Sequence, residues 1–451
     1  MKKHLKGIAV SCFLTAFICS GITINAENSG NQTFTDKMLT YEIVKDGVNI
    51  IDCNETASTL FINEEIDNYK IIGIEAGAFT DCTKLREVTL PDSITYMGEG
   101  VFSGCTALEK INFPSGMTEI PAQTFAMCDS LKEIEIPDTI KTINQYAFSY
   151  CQDLTWFEIP KGVTTINSYA FALSKMPETF NIPENVTTIE DMAFFTCEGL
   201  KTVNIPETID NLAPLAFLGS NELNSYNVDS NNKKYSSEYG VLYSENGTIL
   251  ESYPAGKNET SFTVPDTVEF IAGGAFFANS YLTEINLSEN INQIGEAAFS
   301  NCTALEKMTL PDNIISVSPS LFCDCTSLWS VTLPEQLDSI GAYAFLECTN
   351  LQSLDIPDSV TEIGEYAMGF TDDDEGNFHN MDNFIINANY ETAARTYAKD
   401  YDVDINYIDG NPELPKYIML AVLGVVVLGI IVFVVVRIII KRKKEKDYYK
   451  V

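Results

Sequence analysis

Cysteine and histidine are the residues with most scope for chemistry in this 451-residue chain, which has twelve of the first and two of the second. Eight cysteines, Cys82, Cys105, Cys128, Cys151, Cys197, Cys302, Cys325 and Cys348, share one slot of a sequence pattern. A slot that recurs along a line does not build the tetrahedral cluster that zinc requires. If neighbouring copies stack about 4.8 Å apart, the spacing admits disulfide bridges. Equivalent side chains would point in parallel, however, and Ser174 fills the same slot. The expectation is a ladder of buried, reduced thiols that serves structure. The histidines are His4 and His379. A histidine-dependent triad or a two-histidine metal site therefore lacks its parts. Asp372, Asp373 and Asp374, followed by Glu375, Gly376 and Asn377, put hard oxygen donors on one loop, the chemistry of a calcium site. The loop lacks EF-hand spacing. No catalytic set and no cofactor motif emerge, and the chain reads as a non-enzyme.

The slot belongs to a strict period. Phe79, Phe102, Phe125, Phe148, Phe171, Phe194 and Phe217 are spaced by 23 residues, as are Phe276, Phe299, Phe322 and Phe345. A period of that length means stacked copies of one supersecondary unit. Within the unit from Ala78, the spacing of Phe79, Cys82 and Leu85 predicts a short helical or 3₁₀ turn. Val88 and Leu90 then alternate with Glu87 and Thr89, which predicts a short strand with one buried face, ended by Pro91. Gly98 recurs as Gly295, Gly341 and Gly364, or as Asn144 and Asn167, the pair that best tolerates left-handed backbone. Between Phe217 and Phe276 an insert of 36 residues carries Asn246-Gly247 between apolar runs, the signal of a β-hairpin expected to project from the wall. The register is expected to resume at Phe262. A helix over Tyr390–Lys399 and a strand over Asp404–Ile408 would cover the last rung.

The repeated run A-F-x-x-C-x-x-L, followed by a strand and a proline, resembles the BspA-type leucine-rich repeat, as in Ala344 to Gly364. Leu39 to Ile43, Gly240 to Tyr243, Tyr253 to Lys257 and Ala393 to Ala398 resemble further pieces of that family. The resemblance implies an α/β repeat solenoid: a right-handed array with one short parallel strand per rung. By association it implies cell-surface proteins engaged in adhesion.

The two ends lie outside the array. Lys2, Lys3 and Lys6 before an apolar stretch and Ala26 have the order of a secretory signal, so the mature chain is expected to begin near Glu27. Tyr417 to Val436 is an uncharged run that at about 1.5 Å per residue spans a hydrocarbon core of about 30 Å. Arg437, Lys441, Arg442, Lys443, Lys444 and Lys446 follow it and place the tail in the cytoplasm. The chain is thus divided into a signal peptide at 1–26, an N-terminal cap at 27–74 and repeats at 75–228. A hairpin insert at 229–261, repeats at 262–383 and a C-terminal cap at 384–408 follow. A linker at 409–416, a transmembrane helix at 417–440 and a cytoplasmic tail at 441–451 complete it. The expected location is the plasma membrane, crossed once.

The net charge is −35, with ten of the 28 basic residues at the two ends, and a field of that sign excludes nucleic acid as a partner. The outward strand positions are polar, with one large exception. Trp156 stands with Glu133, Glu135 and Glu158 on that face and forms the candidate ligand-binding set, for an extracellular protein or a glycan. Trp329 lies one place earlier in its repeat and reads as edge packing. The leading reading is an adhesive surface protein; the alternative is an envelope scaffold without a foreign ligand.

Overall fold

A computed structural model describes residues 32–154, 158–373, 375–410 and Leu428. Trp156, Asp374, the signal segment and the apolar run from Tyr417, apart from Leu428, lie outside the described residues. Among the described residues, no helix is long and apolar enough to cross a membrane.

The array is a parallel β-solenoid of about 15 turns. One sheet is built from three- and four-residue strands. Thr59–Phe61, Glu87–Thr89, Lys110–Asn112 and Glu133–Glu135 pair in parallel, the last three at the 23-residue spacing of the repeat. A second parallel sheet runs where the repeat pattern predicts no strand. It is formed by two-residue strands such as Glu119–Ile120, Thr142–Ile143, Thr165–Ile166 and Thr188–Ile189. Residues 193–196, like their equivalents, are turn rather than helix. The i to i+3 bonds from Cys82 N to Phe79 O (3.2 Å) and from Leu85 N to Cys82 O (2.9 Å) show the 3₁₀-type winding. The α/β expectation is corrected accordingly: each turn carries two strands, and the helix Ala393–Tyr401 sits at the C-terminal cap, followed by the strand Asp404–Tyr407.

Every phenylalanine of the period is buried, and the rings stack from rung to rung. Centroids are 4.9 Å apart for Phe79 and Phe102, 5.3 Å for Phe148 and Phe171, and 5.4 Å for Phe322 and Phe345. The backbone of each phenylalanine is tied to the next rung as well. Phe148 N donates to Ala170 O at 2.7 Å, while Phe102 O accepts the Cys128 thiol at 3.2 Å. The same thiol bond joins Cys105 to Phe79, Cys151 to Phe125 and Cys302 to Phe276, each at 3.1 Å. Ser174 donates to Phe148 O at 2.6 Å and Ser220 to Phe194 O at 3.0 Å. The slot thus requires a small donor that satisfies a buried carbonyl. All ten cysteines among the described residues are buried and free, including Cys53 and Cys323 outside the slot. Burial pushes the thiols of Cys105, Cys128, Cys197 and Cys348 above their ordinary range, which keeps them protonated and able to donate.

The left-handed positions differ from expectation. Gly98, Gly295, Gly341 and Gly364 are not among them. There a Cβ would lie 2.4 Å from Ala76 N, 2.4 Å from Gly273 N, 2.5 Å from Pro319 N and 2.3 Å from Ala342 N, so close approach to the preceding rung selects glycine. The positive φ angles fall two places before and two places after the phenylalanine, as in Tyr146 (57°), Tyr150 (59°), Tyr343 (58°) and Glu347 (60°). Each such residue costs about 1 kcal/mol, and stacking between rungs must overcome it.

The insert is built into the wall instead of projecting from it. Tyr235–Glu238 pairs antiparallel with Val241–Ser244 around a turn at Tyr239 and Gly240, both at positive φ, and Ile249–Ser252 returns beside it. Ile249–Ser252 then pairs in parallel with Phe270–Ile271, so the register resumes before Phe262. Tyr253 already occupies the phenylalanine column, 5.2 Å from Phe276. Leu242 packs into the first hydrophobic core, while Val241 and Tyr243 pack into the second. One strand therefore separates two cores, one on each face. The acidic loop near Asp372 is also a hairpin, with Phe370–Asp372 antiparallel to Phe378–Asn380.

Two outcomes follow from this packing. Phe171→Ala should cost about 3–5 kcal/mol. Hydrogen exchange should show faster opening of rungs 79–217 with protection of rungs 276–345 unchanged; an equal loss in both would contradict the dividing strand. Cys128→Ser should leave stability nearly unchanged, while Cys128→Val, which removes the thiol bond to Phe102 O and leaves the Cys105 amide donating there, should cost about 0.5–1.5 kcal/mol in urea unfolding. Thiol titration of the denatured, unreduced chain should find the ladder cysteines free.

Candidate ligand-binding face

The first sheet carries the outward side chains singled out in the sequence. Glu133 and Glu135 are exposed on one strand, and Lys110 approaches Glu133 at 3.4 Å. Arg86 with Glu109 (2.8 Å) and Lys201 with Glu178 (2.6 Å) likewise join adjacent rungs. Exposed pairs of this kind contribute about 0–1 kcal/mol each, so they align side chains more than they stabilise the fold. Amide ladders do the same where charge is absent. Asn204 donates to Asn181 at 2.6 Å and Asn227 donates to Asn204 at 2.9 Å. Near the C-terminus Asn387 donates to Asp355 at 2.7 Å and Asn406 to Asn387 at 3.0 Å. Side chains already held in one rotamer lose less entropy when a ligand binds.

Glu158 is exposed beside Thr179 and Asn181 of this face. A groove of about 720 Å³ lies there, lined by Glu158, Lys161, Pro177, Phe180, Asn181 and Glu184 among others. Its local cause is readable. Leu85, Leu108, Leu131 and Leu154 form a column of buried leucines, and Pro177 stands at the next position. Met176 is buried in its stead, and the chain is diverted: Lys175 N donates to Cys151 O at 3.0 Å and Met176 N donates to Glu198 O at 2.9 Å. The strand Thr179–Asn181 that follows is back in the 23-residue register, pairing with Thr202–Asn204. Glu158 lines the groove, two positions along the chain from Trp156. Glu133 and Glu135 lie on the neighbouring strand outside its lining. Proline in place of leucine in the column is the sequence signal that marks this site, and the repeat pattern alone does not weigh it.

Trp329 is also placed differently from the edge packing expected. Its ring is 51% exposed, and Lys307 Nζ lies 4.6 Å from the ring centroid.

The acidic hairpin has other work for its carboxylates. Asp373 Oδ1 accepts Glu375 N (2.8 Å) and Asn377 N (2.9 Å), and Oδ2 accepts the Asn377 amide at 3.0 Å and faces His379 Nε2 at 3.1 Å. Donors from Asn377 first, and then from His379, hold this carboxyl well below the usual range. Asp372 N donates to Glu347 Oε1 at 2.7 Å, which seats the hairpin on the rung of Phe345. Among the described residues, no group of three or more histidine, cysteine or acidic side chains is arranged to hold a metal ion.

Comparison with known proteins agrees with this architecture. The family model of the BspA type leucine rich repeat region matches residues 53–177, 175–240 and 248–372. It describes a repeat scaffold and indicates no catalytic family. A leucine rich cell surface protein from Faecalibacterium prausnitzii is similar in structure, with a TM-score of 0.60, 22% identity, and coverage of 75% of this chain and 95% of that one. A leucine-rich repeat protein from Bacteroides ovatus is similar with a TM-score of 0.50 and 21% identity, over 83% of this chain and 100% of that one. At these identities the likeness is one of fold. No curated protein matches the sequence. The stacked phenylalanines, the thiol slot and the matched repeats together place this chain in the BspA-type leucine-rich-repeat family.

Proposed function

We propose that this protein is a membrane-anchored cell-surface receptor for protein or glycan ligands, acting in attachment to host or neighbouring cells. The observation that carries the reading is the groove of about 720 Å³ on the polar strand face, at the rung where the leucine column is broken. Positions that recur within the repeat are buried and occupied by packing, so recognition falls to the outward side chains. Glu158 contributes to that groove, and Trp156, two positions before it, supplies the aromatic anchor of the proposed site. Glu133 and Glu135 extend the polar rim. The surface location is supported by the family and by the likeness to a cell surface protein of Faecalibacterium prausnitzii. The anchor is supported by the uncharged run from Tyr417 to Val436 and the basic residues after it.

Attachment of cells carrying the full chain tests this reading. Trp156→Ala should reduce attachment to matrix or foreign cells at least tenfold, while the melting temperature shifts by no more than a few degrees. Attachment at the wild-type level would overturn the assignment of this site.

A further inference from the structure

The strand face opens a second time, in the other half of the solenoid. Ser261–Thr263 pairs with Glu284–Asn286 along its whole length, and Lys307–Thr309 does the same with Ser330–Thr332. Between these two pairs the strand register is carried by Glu284 and Lys307, and Glu306 N donates to Thr283 O at 3.1 Å. A groove of about 370 Å³ fills the opening, lined by Asn286, Leu287, Glu306, Lys307 and Thr309 among others. Trp329 stands one rung further on, with its amide donating to Glu306 O at 3.0 Å. The Lys307 ammonium closes over the indole at 4.6 Å and enters none of the ion pairs formed among the described residues. A cation held over an exposed indole contributes about 0.5–1 kcal/mol and fixes the ring before any ligand arrives. The chain has two tryptophans. Trp329 adjoins the second groove through its Lys307 contact, and Trp156 stands two positions before Glu158 in the chain.

We propose that the opening beside Trp329 is a subsite for a neutral oligosaccharide. This inference rests on the reading of the strand face as the binding surface and adds the chemical class of one ligand. A pyranose ring presents C–H groups on one face and hydroxyls at its edge. The half-exposed indole offers to the first the part of its π surface that Lys307 does not cover. The second needs donors and acceptors side by side, and the groove has an amide with both, an ammonium that donates, and carboxylates that accept. An acidic polysaccharide is disfavoured because Glu284, Glu289 and Glu306 surround the lysine and the net charge is −35. A peptide ligand would need an apolar pocket for its anchor, and this lining is mainly polar.

The test uses the purified full chain in a detergent without sugar, with Trp156→Phe so that Trp329 is the one reporter. Maltohexaose, hexa-N-acetylchitohexaose and hexagalacturonate are titrated while tryptophan emission is followed. At least one neutral hexasaccharide should shift the emission, with hexagalacturonate at least tenfold weaker. Calorimetry with the same sugar should show at least a tenfold loss for Trp329→Ala and for Asn286→Ala, both melting with the parent. Unchanged emission with both neutral sugars, tighter binding of hexagalacturonate, or wild-type heat from Trp329→Ala would overturn the proposal. Cells that still attach through Trp156 while no neutral sugar moves Trp329 emission would sink this inference alone.

Discussion

Each phenylalanine ring rests on the ring of the rung before it, at centroid distances between 4.9 and 5.8 Å, and the rest of the molecule is arranged around that column. The ring's burial supplies the hydrophobic gain, its amide bonds forward to the next rung, and its carbonyl takes a thiol or hydroxyl from that next rung. A shift of one residue would break all three at once. The period of 23 is therefore held as tightly as strand register is held where one face of a sheet is buried. The cost appears elsewhere in the rung: two left-handed residues per turn, and glycines where one rung presses on another.

Much of this is legible in the chain itself. The phenylalanine period, the cysteine slot, the strand alternation and Pro91 each have a direct physical meaning, and the rungs form where those signals lie. The acceptor of the thiols is not legible, because it lies 26 residues back in the chain and is a backbone carbonyl. Glycine does not reveal the left-handed sites, because it serves two purposes. At Gly98 it makes room for Ala76, while Tyr146 and Tyr343 take positive φ with full side chains. The placement of the insert is hidden for a related reason. Asn246-Gly247 does mark a turn, yet turn chemistry says nothing of where a hairpin packs. The burial of Val241 and Tyr243 on one face and Leu242 on the other puts the strand between two cores.

Function is legible only at the exceptions. Each rung presents a short polar strand on its outward face, and grooves break that face at particular rungs. Where Pro177 displaces a leucine, and between Glu284–Asn286 and Lys307–Thr309, a groove forms on the outward face. The fold thus separates two tasks. Buried columns specify the array, and irregular rungs give parts of its surface an individual shape.

The central claim is that ligands are met by the strand face at these irregular rungs and not by the opposite sheet. Arginine substitution on the two faces of one rung tests it most directly, because Thr179 and Thr187 are both exposed and belong to different walls. The account predicts that Thr179→Arg lowers attachment of intact cells at least tenfold and that Thr187→Arg leaves it unchanged. Equal loss from both, or loss from Thr187→Arg alone, would contradict it.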